Sequence, residues 1–232
     1  MSIGKNLQFL RGMRDHMTQE ELAEKLGVSR QTVSKWELDQ AYPEIGKLLE
    51  MCNLFSCTLD QLVREDMTVA GAEYYSDIRM EIVPEFRYIR YAVISMEPEE
   101  DAIAHVRRWA DRLGIESPQI IGWDFPALSQ EQINVYNMHG YAAALMLPEG
   151  VNAGERAEIC AQEAQKYAVI TIRRPSAAPF QIIPGAYKIL LRYLQANGSV
   201  EKRDWACILC FEREYIADGV DCMDVYMAFG DK

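Results

Sequence analysis

Apolar residues recur at helical spacing through the first sixty residues of the chain. Leu22, Ala23 and Leu26 follow Thr18, which with Glu21 has the spacing of a capping box at a helix start. Four similar stripes predict four further short helices. Their apolar residues are Ile3, Leu7 and Leu10; Val33 and Trp36; Ile45, Leu48 and Leu49; and Leu59 and Leu62. The pattern predicts five helices around one small core.

The connections between these helices carry start and stop signals. Gly27 can adopt the positive φ that ends the second helix, and Ser29 is an N-cap for the third. Pro43 suits the first turn of the fourth helix, and Thr58 with Gln61 forms a second capping box. Two helices joined through a glycine make a helix-turn-helix, and the small side chain of Ala23 lets them approach.

The third helix has an unusual outward face for this chain. The formal net charge is -11, yet no acidic residue lies between Arg30 and Lys35. Acidic residues outnumber basic ones both in the first 66 residues and in the remainder, which argues against general coating of nucleic acid. Any contact with DNA is therefore expected through a small, focused patch.

The stretch TQEELAEKLGVSRQTVSKWE, residues 18–37, resembles the lambda-repressor-like Xre family of helix-turn-helix domains, over about residues 3–63. The resemblance implies that the helix from about Arg30 to Leu38 enters the major groove of a double-stranded operator as part of a homodimer. The implied DNA-binding residues are Gln19, Ser29, Arg30, Gln31, Thr32, Ser34 and Lys35.

The side chains of this helix suit different contacts. Gln31 can read adenine and Arg30 can read guanine, each through two hydrogen bonds. Lys35 is better placed for a phosphate, and Gln19 lies at a helix start where the dipole favours a phosphate. Trp36 shares the inward face of Val33, so we expect it in the core. A helical bundle with an ordinary polar face is the alternative.

The second half of the chain contains an internal repeat. RYAVISM at 90–96 is echoed by KYAVITI at 166–172, and both have the composition of strands. Each is followed by a helical segment that ends at glycine, and then by two further strand candidates. Those segments are AIAHVRRWADRLG, IIGWDF and GYAAALML in the first copy, and AYKILLRYLQANG, ACILCFEREY and MDVYMAF in the second.

This order predicts a two-domain protein. An all-α, five-helix domain spans residues 1–65, a connector spans 66–85, and an α+β domain spans 86–232. The α+β domain is expected to contain duplicated strand-helix-strand-strand units, whose two helices cover one face of an antiparallel sheet.

Short motifs in this half are similar to the gyrase-inhibitor-like effector-binding domain found on AraC-type and MerR-type regulators. They are IGWDFP (121–126), QKYAVIT (165–171), FEREY (211–215) and DVYMAF (224–229). The resemblance implies a cleft between the repeats for a lipophilic, aromatic and cationic molecule. It also implies a glutamate on the penultimate strand that faces the positive charge of that molecule.

The glutamate can be assigned in two ways, because the FEREY segment is one residue longer than the usual motif. Glu212 corresponds to the motif glutamate if Phe211 sets the register, and Glu214 if Tyr215 does. Two residues apart on a strand, both point to the same face, and Arg213 points to the other. A carboxylate in an apolar cavity is costly unless a cation compensates it. The candidate aromatic walls are Trp123, Phe125, Tyr141, Tyr187, Trp205 and Tyr215, each of which core packing also explains.

Three functions fit these features. The first is a DNA-binding transcription regulator that senses a small molecule. The second is a hydrolase acting on a small reactive compound, with Glu212 and Tyr215 as general base and acid. The third is a protein-inhibiting module. The chain lacks a G-x-S-x-G motif, so we expect no enzyme, and it lacks a phosphate loop and a metal-ligand cluster, so we expect no cofactor.

The distribution of apolar residues also bears on where in the cell the protein is located. No apolar run approaches the roughly 20 residues of a membrane-spanning helix, and the first segment does not resemble a signal peptide, which favours the cytoplasm. The six cysteines are then expected to be reduced. Cys207 and Cys210 form a C-x-x-C inside a predicted strand, where positions three apart point to opposite faces and a metal or redox pair is disfavoured. The three histidines have no ligand spacing.

Overall fold

The computed structural model describes residues 2–14, 16–67, 74–125, 128–154, 157–201 and 207–230. Its contacts divide the chain into two compact units. The first consists of Met1–Tyr75, Ser176–Glu201 and Phe229–Lys232, and the second of Ser76–Pro175 and Lys202–Ala228.

The first five helices precede the strands along the chain, and three further helices lie among the strands. The helices are α1 (Ile3–Met13), α2 (Gln19–Leu26), α3 (Arg30–Glu37), α4 (Ile45–Phe55), α5 (Leu59–Arg64), α6 (Pro98–Arg112), α7 (Gln130–Asn134) and α8 (Pro179–Ala196). The strands are β1 (Arg79–Val83), β2 (Phe86–Ser95), β3 (Ile120–Asp124), β4 (His139–Leu147), β5 (Ile159–Gln162), β6 (Gln165–Arg173), β7 (Val200–Glu201), β8 (Cys210–Ala217) and β9 (Val220–Gly230).

The five predicted N-terminal helices are confirmed, together with the predicted caps of α2, α3 and α5. Thr18 and Glu21 form the capping box of α2, and Gly27 ends that helix with φ 63°. The Ser29 hydroxyl accepts a hydrogen bond from the Thr32 backbone N–H and so begins α3. Thr58 starts α5 through a second capping box. Local polar contacts thus set the ends of the helix-turn-helix.

The fourth helix differs from the prediction. It begins at Ile45, and Pro43 precedes the N-cap residue instead of occupying the first turn. Its buried residues are Met51, Cys52 and Phe55, whereas Ile45 and Leu49 are 70% and 50% exposed. Residues 48, 51, 52 and 55 share one helical face, so Ile45 and Leu49 fall at its margin.

The first unit is stabilised by side-chain hydrogen bonds as well as by apolar packing. Its apolar centre includes Leu7, Leu22 and the predicted core residue Trp36. The buried Asn6 side chain donates to the Leu62 and Glu65 carbonyls and accepts from the Met67 N–H. Arg192 of α8 donates to the Met67 carbonyl, and Asn197, the C-cap residue of α8, donates to the Met13 carbonyl. The helix that follows β6 in sequence therefore packs within the first unit.

The sheet confirms the predicted repeat. Its strand order is β1-β6-β9-β8-β3-β4-β2-β5, and every pairing is antiparallel. The first copy contributes β2, β4 and β3, and the second contributes β6, β9 and β8 in the same internal order. The copies meet where Gly122 of β3 pairs with Glu212 of β8.

Several boundaries lie outside the predicted segments. The helix α8 begins at Pro179, seven residues before the predicted segment, and contains Pro184. The strand β1 lies in the segment predicted as a connector and pairs with β6.

The two faces of the sheet have separate apolar clusters. On one face, Ala102 and Val106 of α6 pack with Ile89, Ala143 and Leu145. On the other face, a cluster that we call the aromatic cluster consists of Tyr88, Ile121, Ala144, Tyr167, Val169, Ile208, Phe211, Tyr226 and Ala228. Because neighbouring residues of a strand point to opposite faces, β2, β3 and β4 contribute to both clusters.

A buried carboxylate joins four strands. Asp224 of β9 is 1% exposed and forms ion pairs of 3.0 Å with Arg79 of β1 and Arg213 of β8. It also accepts hydrogen bonds from Thr171 of β6 and Tyr215 of β8. Burial acts to raise the pKa of Asp224, but the hydrogen bond from Thr171 and the two guanidinium groups lower it overall.

We predict that Asp224→Asn lowers the free energy of unfolding at pH 7 by about 3 kcal/mol, because two guanidinium groups lose their buried partner. The folded pKa of Asp224 lies below the unfolded value of about 3.9. Its stabilisation is therefore complete above that value and is lost as the pH falls through the folded pKa. Urea unfolding between pH 3 and pH 7 measures both effects.

The exposed Asp221 of the same strand provides the control. Asp221→Asn is expected to leave the free energy of unfolding nearly unchanged. Equal stability of the two variants at pH 7 contradicts the role assigned to Asp224.

Candidate DNA-binding face and ligand cavity

The exposed face of α3 presents three long polar side chains. Arg30, Gln31 and Lys35 are exposed, and within the part of the chain that the structure describes their side chains form no hydrogen bond or ion pair. They are available for an external partner. The remaining predicted residues of this helix differ. Ser34 is half-buried, and the Ser29 and Thr32 hydroxyls lie 2.8 Å apart.

Gln19 belongs to a network that holds α2 against the end of α3. Its amide nitrogen donates to Glu37 over 2.8 Å, and the buried Glu37 carboxylate also forms a 2.6 Å ion pair with Arg11. Arg11 additionally donates to the Met17 carbonyl. An amide nitrogen carries two hydrogens, so Gln19 keeps one donor for a phosphate. The network fixes the angle between α2 and α3 without using the side chains of Arg30, Gln31 or Lys35.

A cavity of about 160 Å³ lies in the second unit between α6 and the sheet. It is lined by Ile103 and Arg107 of α6, Pro118, Ile120, Ile121 and Gly122 at β3, Tyr141 of β4, and Glu212 and Glu214 of β8. Both candidate glutamates therefore face the same space. A volume of this size is enough for one aromatic ring, because engineered cavities of about 150 Å³ bind benzene.

The opposite face of β8 explains why both glutamates point inward. Phe211 stacks on Tyr226 at 4.3 Å between ring centroids, and Arg213 and Tyr215 bind Asp224. These three alternate residues are fixed on the side of the aromatic cluster. Strand alternation then places Glu212 and Glu214 on the side of α6.

Tyr141 occupies the floor of the cavity because residue 122 is glycine. A Cβ atom at position 122 would lie 2.0 Å from the Tyr141 hydroxyl oxygen, so any larger residue would displace the ring. Burial raises the pKa of Tyr141, and the negative charges of Glu212, Glu99, Asp124 and Glu214 raise it further. The tyrosine therefore stays neutral and offers a ring and a hydroxyl.

Glu99 and Asp124 extend this negative region. Burial raises the pKa of Glu99, in the first turn of α6, and Glu214 and Asp124 raise it further. Burial also raises the pKa of Asp124, although His139 acts in the opposite direction. Glu99, Asp124 and Glu214 remain exposed, so an external cation can reach this group of carboxylates and reduce the repulsion among them.

The other predicted ligand-binding residues lie elsewhere. Trp123 packs with the aromatic cluster, and Tyr215 contacts Asp224 on that same face. Phe125 lies against Gly140, and Tyr187 lies on α8 in the first unit. Trp205 is outside the described residues. For the whole set, binding of a ligand stays a prediction.

Sequence reasoning missed Arg107, Glu99 and Asp124. Asp124 lies inside the IGWDFP segment, which offered a signal, whereas Arg107 and Glu99 belong to a helix whose outward face is rich in charge. Nothing in the sequence separates the charged residues of α6 that face a cavity from those that face solvent.

A second cavity, of about 460 Å³, lies near the end of α6 and is lined by Ile89, Arg90, Ala92, Trp109, Arg112, Leu113, Ala153, Ala157 and Glu158. It is larger but contains none of the predicted ligand-binding residues. The smaller cavity is the better candidate site because two carboxylates and a buried tyrosine converge there.

The described residues contain no group of three potential metal ligands, and the six cysteines are not joined in disulfides. Among the described helices, none is long and apolar enough to cross a membrane.

We predict that Asp124→Asn raises the melting temperature at pH 7.5 in the absence of ligand. The folded pKa of Asp124 is raised, so the charged group costs stability once the pH rises through the unfolded pKa and the folded pKa. The gain should disappear near pH 3, where the carboxyl is protonated in both states. Thermal unfolding followed by circular dichroism measures it. The exposed Glu149 serves as control through Glu149→Gln, and a destabilised Asp124→Asn protein at pH 7.5 contradicts the interpretation.

Comparison with known proteins covers the N-terminal part most clearly. A family model described as helix-turn-helix matches residues 10–62. The HTH-type transcriptional activator BcrR of Enterococcus faecalis is 35% identical over 96 residues, which cover 41% of this chain and 45% of that protein. The HTH-type transcriptional regulator ImmR of Bacillus subtilis (strain 168) is 36% identical over 66 residues, covering 28% of this chain and 51% of that protein.

The chain therefore spans about half the length of the curated relatives it matches. Among solved structures, an EcmrR–DNA complex studied by cryo-electron microscopy has a TM-score of 0.46 at 9% identity, and the match covers 92% of this chain and 99% of that one. The capped α2–turn–α3 unit and the matching family model agree with the sequence pattern. Residues 10–62 thus form a helix-turn-helix domain.

Proposed function

We propose that this protein is a DNA-binding transcriptional regulator whose activity responds to a cationic, aromatic small molecule. The observation that carries the proposal is the pairing of two unlike surfaces in one acidic chain. One is an exposed cationic and amide face on α3, and the other is a cavity containing Glu212 and Glu214.

The DNA-binding part of the proposal rests on the side chains of α3. Arg30 and Gln31 project from its first turn, and each can form two hydrogen bonds to a base edge in the major groove. Lys35, one turn later, suits a phosphate. The Arg11–Glu37–Gln19 network holds α2 and α3 in place, so little ordering is needed on binding. One such unit covers half of a palindromic operator, so we propose that the protein acts as a homodimer.

The ligand-sensing part rests on the charge and shape of the smaller cavity. Ile103, Ile120 and Tyr141 supply apolar and aromatic surface, and Glu212 and Glu214 supply negative charge on one strand. A protonated or quaternary amine with one ring matches both properties. The ligand regulates DNA binding only if it has different affinities for the DNA-bound and free states, and the effect is then reciprocal.

We expect Gln31→Ala and Arg30→Ala to weaken binding to a mapped operator by about 1–3 kcal/mol each, because each change removes a two-point contact with a base. Lys35→Ala should weaken binding to all sequences and reduce its salt dependence. Fluorescence anisotropy at several salt concentrations measures these effects.

The matched control for these variants is Arg64→Ala. Arg64 is an exposed arginine on α5 that pairs with Asp60 across one helical turn. Its removal should leave operator affinity unchanged. If Arg30→Ala and Arg64→Ala behave alike, α3 is not the recognition helix.

For the cavity, we expect benzyltrimethylammonium to bind more tightly than neopentylbenzene, its neutral isostere. Glu212→Gln and Glu214→Gln should each reduce affinity for the cation several-fold and leave the neutral compound unaffected, because only the cation gains from the carboxylates. Isothermal titration calorimetry and mass spectrometry of the recovered ligand are the measurements. Equal loss for both compounds contradicts a role for charge, and a chemically altered ligand favours a hydrolase instead.

A further inference from the structure

A positive side chain shares the cavity with the two glutamates. Arg107 lies on α6 one turn after Ile103, so both side chains face the same side of the helix and line the same space. Glu212 and Glu214 line it from β8. The cavity therefore has negative groups on its sheet wall and a positive group on its helix wall.

The guanidinium of Arg107 is not paired with either of these carboxylates. Within the described part of the chain its guanidinium forms no hydrogen bond or ion pair, although two carboxylates line the same cavity. It is exposed, so water solvates it in the absence of a ligand. A guanidinium in this state is ready to form two parallel hydrogen bonds with a planar anion such as a carboxylate.

We propose that Arg107 makes the cavity selective for zwitterionic aromatic molecules, which carry a cationic amine and a carboxylate on opposite ends of one ring. The amine faces Glu212 and Glu214, and the carboxylate faces Arg107. The proposal rests on the ligand-binding function proposed above and narrows its ligand class. A simple monocation gains the same contacts with the glutamates, but it meets Arg107 as an unmatched positive charge.

The size of the cavity supports a short ligand. About 160 Å³ accommodates one ring, and we expect charged substituents at its two ends to extend toward the helix wall and the sheet wall. Larger cations fit only in part and leave Arg107 in solvent. We therefore expect the cavity to select ligands by both their charge pattern and their length.

The experiment uses 4-(aminomethyl)benzoate and its methyl ester, which differ in the charge of the carboxyl end and in the methyl group of the ester. We expect the wild-type protein to bind the zwitterion about tenfold more tightly than the ester, in the range of a hydrogen bond to a charged group. In Arg107→Gln this preference should disappear, because the zwitterion loses about tenfold while the ester loses nothing. Titration calorimetry on the full-length protein measures all four affinities.

The neighbouring Arg108 provides the matched control. Its guanidinium is exposed and lies 3.5 Å from His105 rather than in the cavity, so Arg108→Gln should keep the wild-type preference. If both probes bind and Arg107→Gln changes neither affinity, the inference is wrong and the cation site stands. If Arg107→Gln raises the affinity for the ester without weakening the zwitterion, Arg107 is a built-in competitor of the cation and the inference is also wrong. If neither probe binds the wild-type protein, the inference and the proposed ligand site fail together.

Discussion

The position of the candidate ligand cavity depends on the contacts that fix one strand, β8. Its alternate residues Phe211, Arg213 and Tyr215 are fixed on one face, the first by stacking on Tyr226 and the others by Asp224. A shift of the strand by one residue would bury the glutamates among aromatic rings and move the apolar and cationic groups to the cavity. The buried Asp224 network therefore sets where negative charge is presented, although it lies on the opposite face of the sheet.

The helix-turn-helix is organised in the same way. Internal contacts fix one side of α3, and the side chains on its other side stay exposed. Glu37 is buried and takes hydrogen bonds from Arg11 and Gln19, while Arg30 and Gln31, on the same helix as Glu37, have no partner among the described residues. Internal polar contacts supply rigidity, and the exposed side chains retain their hydrogen-bonding capacity. Near the cavity, the raised pKa values of Glu99 and Asp124 mean that their charged forms cost stability.

Much of the fold was predictable because it depends on local signals. The Thr18–Glu21 capping box, the glycine at 27 and the repeated strand patterns are short-range features, and each was confirmed. The phase of α4 was not predictable from Ile45 and its apolar neighbours, because it is set by tertiary packing. The cavity was harder to predict from the sequence than the helix. Which aromatic residues surround it depends on strand pairing, and the role of Gly122 becomes visible only from its distance to the Tyr141 ring.

The most direct test is a crystal structure of the protein with a bound one-ring aromatic amine. We expect the amine nitrogen to lie within hydrogen-bonding or ion-pairing distance of Glu212 or Glu214, with the ring against Tyr141. This expectation is contradicted if the ligand occupies the larger cavity beside Trp109, or if the two glutamates face away from the ligand while Arg213 faces toward it.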